Sequence, residues 1–205
     1  MQEGETVLIH AAAGSVGSAA IQLAVNAGAR VIATAGADDK LDWCRKLGAD
    51  IAVNYNRDDF VAVVKEATRK KGVDVVFDTV GEAVMEQSLG AIAYNGRYIM
   101  MGFSSDKTVA DEKFLVPRRL ALSNISLCAV MLAYADEAMS DFLKDGMGWN
   151  FVPVALGEKI NSIIVSLVQN GEIKPAIGRV VGFEDIPRTL QDLADRKTVG
   201  KVIAI

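Results

Sequence analysis

The segment from Thr6 to Gly28 constrains this chain more than any other. Thr6-Val7-Leu8-Ile9-His10-Ala11 is an unbroken apolar run of strand length, as expected of a strand covered on both faces. Directly after it, Ala12-Ala13-Gly14-Ser15-Val16-Gly17 keeps the spacing G-x-G-x-x-G, with Ala12 in the first glycine position. A helix is predicted from about Val16 to Ala27, with Ala20, Leu23, Ala24 and Ala27 on one face and Gly28 as its stop. The turn has to be tight, and its middle residue has to lack a Cβ so that backbone can approach a pyrophosphate. The last glycine lets the helix lie close to the strand, and the helix start offers N–H groups and a partial positive charge. A glycine loop alone is a weak sign. Placed between a strand and a helix, it points to dinucleotide binding, with a merely structural turn as the other reading.

The same beat continues. Strands are predicted at Arg30 to Ala35, Ile51 to Tyr55, Val73 to Thr79, Arg97 to Met101 and Ile125 to Met131. Between them lie a helix that Asp38 or Asp39 caps, with Leu41, Cys44 and Leu47 inward, and a helix over Asp58 to Lys70 with Phe60, Val63, Val64 and Ala67 inward. A third runs from Glu82 to Ile92, followed by a turn at Asn95-Gly96, and a short helix follows Pro117. Short connections between alternating strands and helices give a parallel sheet with right-handed crossovers. Six strands in two βαβαβ halves make an α/β, doubly wound Rossmann sheet.

The pattern changes after residue 131. A helix near 136–144, a loop from Asp145 to Val154 and a helix from Leu156 to Gln169 are expected, the last with Ile160, Ile163, Ile164, Leu167 and Val168 on one face. A strand near Ala176–Phe183, a helix near Asp185–Asp195 with Pro187 in its first turn and a strand over Lys201–Ile205 complete the chain. These elements look too sparse for a core of their own. The division expected is therefore a dinucleotide domain over 1–132 and part of a second domain over 133–205. Trp149 is an anchor candidate, or more simply a buried plug of its loop.

Composition removes several classes. Of 205 residues, 51% are hydrophobic and 23% charged, which argues against disorder. A net charge of −4 attracts no polyphosphate overall, so nucleic acid is not an expected partner, and Arg69-Lys70-Lys71 and Arg118-Arg119 read as solvated helix ends. No apolar stretch reaches the length of a membrane span. Two cysteines 84 positions apart argue for a reducing, cytoplasmic setting, and with a single histidine they make a metal site improbable. That histidine, His10, suits a packed, hydrogen-bonded role under the glycine loop better than a catalytic one. No nucleophile–base pair stands out, and no catalytic residue is assigned.

NAD-binding sheets place a carboxylate near the end of the second strand for the ribose 2′-hydroxyl. Here that place reads Thr34-Ala35-Gly36-Ala37, small and uncharged, with Lys40 beyond. A 2′-phosphate fits there, which favours NADPH over NADH. Asp38 and Asp39 would repel it unless they cap their own helix, and Lys40 can equally be a solvated helix residue.

The stretch from Val7 to Ala24 resembles the cofactor domain of medium-chain dehydrogenases/reductases, in particular the zinc-independent quinone oxidoreductase, zeta-crystallin-like branch. The resemblance continues through Val31-Ile32-Ala33-Thr34-Ala35-Gly36, Leu47-Gly48-Ala49-Asp50, Val73 to Gly81, Gly96-Arg97-Tyr98, Gly171 to Pro175 and Val199-Gly200-Lys201-Val202. It implies hydride transfer from NADPH to a quinone or another α,β-unsaturated carbonyl. By position, Gly14, Ser15, Val16 and Gly17 would hold the pyrophosphate, and Gly36, Lys40 and Tyr55 the adenosine ribose and its 2′-phosphate. Thr79 and Val80 would line the adenosine side or the bridge, and Gly102, Phe103 and Ser104 would meet the nicotinamide end. Core packing suits Tyr55 and Phe103 as well, and Lys201 reads as a solvated strand residue.

Members of this family begin with a GroES-like substrate domain, whereas this chain starts almost at the first Rossmann strand. The tail resembles the returning part of that domain, so a piece of a longer protein is expected, unable to turn over alone. An enoyl-thioester reductase, including the reductase domain of a polyketide synthase, and a non-catalytic NAD(P)-binding module are the alternatives. The strand over 125–131 closes the sheet as an apolar edge. In this family such edges pair across a two-fold axis, which implies a homodimer.

Overall fold

The computed structural model describes residues 1–102, 117–131 and 133–205. Two compact units are distinguished, one formed by Met1–Cys128 with Pro175–Ile205 and the other by Ala129–Lys174. In the first, the chain runs β1 (Thr6–Ile9), α1 (Ser15–Asn26), β2 (Arg30–Ala35), α2 (Asp38–Lys46), β3 (Ile51–Asn54), α3 (Phe60–Ala67), β4 (Val73–Asp78), α4 (Glu82–Leu89), β5 (Ile92–Met100), α5 (Pro117–Ser123) and β6 (Ser126–Ala129). The sheet order is β3-β2-β1-β4-β5-β6, the expected doubly wound arrangement. Its direction of winding reverses between β1 and β4, so the carboxyl ends of those strands border the crevice where such sheets take ligands.

Period-2 alternation divides the core between the two faces of the sheet. Val7 and Ile9 of β1, with Val31 and Ala33 of β2, pack under Ile21, Ala24, Leu41 and Cys44 from α1 and α2. Leu8 and Ile32 point the other way, onto Phe60, Val64, Met85 and Leu89 of α3 and α4. Both faces are apolar, which is why these strands read as continuous hydrophobic runs.

Helix α1 turns a different face inward from the one expected. Gly17, Ser18, Ile21 and Ala24 are buried, whereas Ala20, Leu23 and Ala27 are only half-buried. Gly17 decides the rotation. A Cβ there would stand 2.5 Å from the Ala11 carbonyl oxygen and 2.6 Å from Ala12 Cα, so only this glycine lets the first turn touch the strand.

Other boundaries shift for local reasons. Helix α3 starts at Phe60 because Asp59 caps it, accepting from the N–H groups of Val61 (2.8 Å) and Ala62 (3.3 Å). It ends early because Thr68 folds back on the Val64 carbonyl and Arg69 and Lys70 take positive φ. Helix α4 stops at Leu89, with Gly90 beyond it. The expected turn at Asn95-Gly96 is instead a bulge inside β5. Val73 pairs with Ile92 and Val75 with Arg97, so the strand resumes in the β4 ladder after Asn95 absorbs the extra length at φ +60°.

In the second unit, β7 (Tyr134–Ala135) pairs with β8 (Val152–Pro153), a short ladder whose second strand lies inside the loop expected over Asp145 to Val154. Helix α6 (Glu137–Met147) is capped by Asp136, which accepts from Met139 N–H at 2.9 Å. Helix α7 (Val154–Gln169) buries Gly157, whose position faces the Tyr134 ring, while Ile160, Ile163 and Val168 of its expected inner face are exposed. Trp149 is half exposed and packs obliquely on Phe151, so it does not plug its loop.

The first unit also takes β9 (Ile177–Val181), α8 (Ile186–Ala194) and β10 (Lys201–Ala204). Strands β9 and β10 pair in parallel, with a register shift after Lys201.

Candidate functional site

The loop between β1 and α1 is built from backbone contacts. Ala11 takes φ +48°, and Gly14 N–H returns to the Ala11 carbonyl at 3.0 Å. The left-handed residue is therefore Ala11, and Ala12, in the first position of the motif, packs fully buried in ordinary backbone geometry. Gly14 sits before α1 with no side-chain cap, and Ser18 N–H reaches its carbonyl at 2.8 Å. Gly14, Ser15 and Val16 are exposed, and Gly17 is buried. An uncapped helix start leaves its first N–H groups directed outwards, which suits an anion.

At the end of β2, the structure brings Gly36 and Tyr55 together. A Cβ on Gly36 would lie 2.6 Å from the Tyr55 hydroxyl oxygen, and Asn56 Nδ2 donates to the Gly36 carbonyl at 2.8 Å. Tyr55 is half exposed, so it lines this corner rather than the core. Lys40 donates to the Arg196 carbonyl. Asp38 is not a helix cap. The cap position falls on Ala37, and the Asp38 carboxylate accepts from Asn54 Nδ2 at 3.1 Å and Arg57 at 3.4 Å. The sequence reading missed Arg57, because its partner lies 19 residues away across β3.

At the ends of β4 and β5, Asp78 is fully buried and holds two backbone segments and one side-chain hydroxyl. Its Oδ1 accepts from the N–H groups of Val80 (2.7 Å) and Gly81 (3.1 Å), and its Oδ2 from the Tyr98 hydroxyl at 2.7 Å. Its carbonyl accepts from Met101 N–H at 2.8 Å. Thr79 and Gly102 come so close that a Cβ on Gly102 would stand 2.9 Å from the Thr79 carbonyl oxygen. Thr79, Val80 and Gly102 are thus brought to one edge with the glycine loop. Phe103 and Ser104 lie outside the described residues.

Beneath this edge His10 bridges the sheet. Its Nδ1 lies 3.0 Å from Thr34 Oγ1 and its Nε2 2.8 Å from Ser88 Oγ. Because the Ser88 hydroxyl donates to the Val84 carbonyl at 2.7 Å, the proton on the ring belongs on Nε2 and Nδ1 accepts from Thr34. Burial lowers the His10 pKa to about 4, against a smaller opposing pull from Asp78. Burial, together with the Asp78 carboxylate, pushes the Tyr98 hydroxyl far up. Burial also raises the Cys44 thiol to about 11, which makes it a poor nucleophile. These are structural groups held neutral, and their geometry supports positioning rather than proton transfer.

The family model described as zinc-binding dehydrogenase matches residues 15–145. The chain belongs to that family. Within it, the quinone oxidoreductase branch of the medium-chain dehydrogenases/reductases is the one its relatives indicate. Quinone oxidoreductase-like protein 2 of Bos taurus is 35% identical over 204 residues, covering 98% of this chain and 53% of its own length. Among solved structures, a mycobacterial protein complexed with NADPH superposes with a TM-score of 0.77 at 28% identity, covering 100% of this chain and 58% of that one. The enoyl reductase CurK does so with a TM-score of 0.74 at 26% identity, covering 100% of this chain and 55% of that one. The chain thus spans about half the length of the curated relatives it matches. Despite the family's name, the described residues contain no group of three or more His, Cys, Asp or Glu placed to hold a metal ion, and none is assigned as a ligand. Nor is any helix among them long and apolar enough to cross a membrane.

Proposed function

We propose that this chain is the cofactor-binding part of an NADPH-dependent oxidoreductase that passes a hydride to a quinone or another α,β-unsaturated carbonyl. The observation that carries this reading is the glycine cradle, in which Gly17 admits no Cβ and the uncapped start of α1 faces outwards. Gly14, Ser15, Val16 and Gly17 hold the pyrophosphate. Gly36, Lys40 and Tyr55 take the adenosine ribose and its 2′-phosphate, Thr79 and Val80 the adenosine side or bridge, and Gly102, Phe103 and Ser104 the nicotinamide end. When bound, NADPH supplies the hydride, and the protein's share is to orient it and exclude water. NADPH is favoured over NADH because Asp38 is engaged by Asn54 and Arg57, which leaves Gly36 and Lys40 beside the 2′ position.

The segment 133–205 is read as part of a substrate domain, although its residues 175–205 pack in one unit with the dinucleotide-binding sheet. The chain's two free cysteines suit a reducing, cytoplasmic setting. Strand β6 ends the sheet order and its neighbours Val130 and Met131 are exposed, which suits pairing with a second copy through 125–131. Likeness to the enoyl reductase CurK keeps an enoyl-thioester substrate as the second reading.

The test is thermal unfolding with saturating NADPH, with NADH and with neither. A ligand at about 100 times its Kd adds about 2.7 kcal/mol. Stabilisation by NADPH well above NADH is expected. The reverse order means that Asp38 or Asp39 reads the ribose hydroxyl. No shift with either overturns the oxidoreductase reading for this chain and leaves a non-catalytic module.

A further inference from the structure

The glycine loop is gripped from behind by the end of the chain. Gly200 N–H donates to the Ala13 carbonyl at 2.8 Å, and Gly14 and Gly200 form an isolated parallel bridge. Gly200 is buried and has φ +56°. A Cβ there would strike the Ala176 carbonyl and lie 2.7 Å from Trp43 Cζ2, so this turn fits between β9 and Trp43 only as glycine. Val199 packs with Trp43 against the core under α1 and α2. Trp43 Nε1 donates to Ser18 Oγ at 2.9 Å, and Ser18 Oγ reaches the same Ala13 carbonyl at 3.4 Å. A second grip comes from Lys40, which donates to the Arg196 carbonyl just before this turn.

We propose that Val199-Gly200-Lys201 is a strap that positions the phosphate-binding loop. Its chemistry is that of a carbonyl kept away from an anion. A carbonyl turned towards a pyrophosphate repels it, and Gly200 and Ser18 together hold the Ala13 carbonyl on the sheet side while the N–H groups at the start of α1 face outwards. Gly200, Val199 and Trp43 are positioning residues that act through Ala13 and Ser18. Lys40 carries three N–H donors, so its grip on Arg196 leaves two for a phosphate. The proposal rests on the dinucleotide reading of the loop, and its effect on the free loop can be read without any cofactor.

Two variants of the full chain test it: Gly200→Val, which removes the turn, and Val199→Ala, which loosens its packing while leaving the backbone intact. Amide hydrogen exchange is followed over residues 11–18 without ligand. Binding of NADPH and of adenosine 2′-monophosphate, which bears no pyrophosphate, is measured by calorimetry below the unfolding range of each variant. For Gly200→Val, exchange over 11–18 should rise at least tenfold while β4 and β5 are unmoved. The Kd for NADPH should rise at least tenfold, and that for adenosine 2′-monophosphate should stay within twofold. Val199→Ala should move the same quantities the same way by two- to threefold, so a Gly200→Val chain that does not fold leaves the decision to this variant. Unchanged exchange over 11–18 in the folded variants overturns the strap, as does an equal loss of both ligands. If the unaltered chain binds no NADPH, the dinucleotide reading fails, and the exchange result still decides the strap.

Discussion

His10 is the single histidine of the chain, so its titration can be isolated from every other group. Its ring is buried against Phe60, with centroids 5.1 Å apart in an edge-on arrangement, and both nitrogens are hydrogen-bonded. The native pKa is about 4, against 6.5 for an unburied histidine. Below pH 6.5 the unfolded chain takes up a proton that the native chain refuses. Stability therefore falls as pH is lowered from 6.5 to about 4, by about 1.4 kcal/mol per unit. Between pH 7 and 5 the loss from His10 alone is about 2 kcal/mol. Carboxylates contribute their own slope, and a His10→Gln comparison removes it. Gln has no proton to gain, so the stability gap between the native and variant chains, measured by urea unfolding, should shrink by about 2 kcal/mol from pH 7 to 5. Proton NMR of the imidazole should show no titration down to pH 5. A gap constant to about 0.5 kcal/mol over that range, or an imidazole midpoint near 6.5, would refute the reasoning.

Three further outcomes are expected. Tyr98→Phe removes the donor to Oδ2 of the buried Asp78 carboxylate and should cost about 2–3 kcal/mol in urea unfolding, since a charge-assisted bond is lost and the oxygen stays buried. Gly17→Ala forces a methyl to within 2.7 Å of three backbone atoms of Ala11 and Ala12. It should destabilise the fold by about 1–3 kcal/mol and weaken NADPH more than tenfold in calorimetry. Gly36→Asp places a carboxylate where the 2′-phosphate is expected and displaces the half-exposed Tyr55 ring. It should lower the ratio of NADPH to NADH affinity about tenfold, or about 1.4 kcal/mol, and an unchanged ratio would remove Gly36 from cofactor selection.

The parts of the fold legible in the sequence are those where a single local rule decides. Strand β2 is found over Arg30–Ala35 as expected, because a strand buried on both faces has no other way to read. The face of α1 was not legible. Ala19, Ala20, Ala24 and Ala27 give the helix little contrast around its circumference, so one close contact at Gly17 sets its rotation. Asn95-Gly96 is a strong turn signal by itself, yet β4 continues as a partner on both sides and turns the pair into a bulge. The corner around Gly36 was half legible. Its small residues could be seen, but Asp38 is steered by Asn54 and Arg57 from the end of β3. Gly200 was part of the resemblance, and no local pattern ties it to a loop almost 190 positions earlier.

Polar groups inside an apolar sheet are costly unless satisfied, and here they gather under one edge. Asp78 of β4 accepts from Tyr98 of β5 at 2.7 Å, and His10, just after β1, is hydrogen-bonded to Ser88 of α4 at 2.8 Å and to Thr34 of β2 at 3.0 Å. Asp78 alone fixes the turn after β4 through two N–H groups, the end of β5 through Met101, and Tyr98 through its hydroxyl. An apolar layer of the same size would hold the strands together as well, but it would leave those loop ends free to choose among conformations. A charge that is satisfied only when Val80, Gly81 and Tyr98 all stand in place makes their arrangement one cooperative unit. The loops that have to meet a cofactor are therefore shaped before it arrives, and less ordering is left for binding to impose.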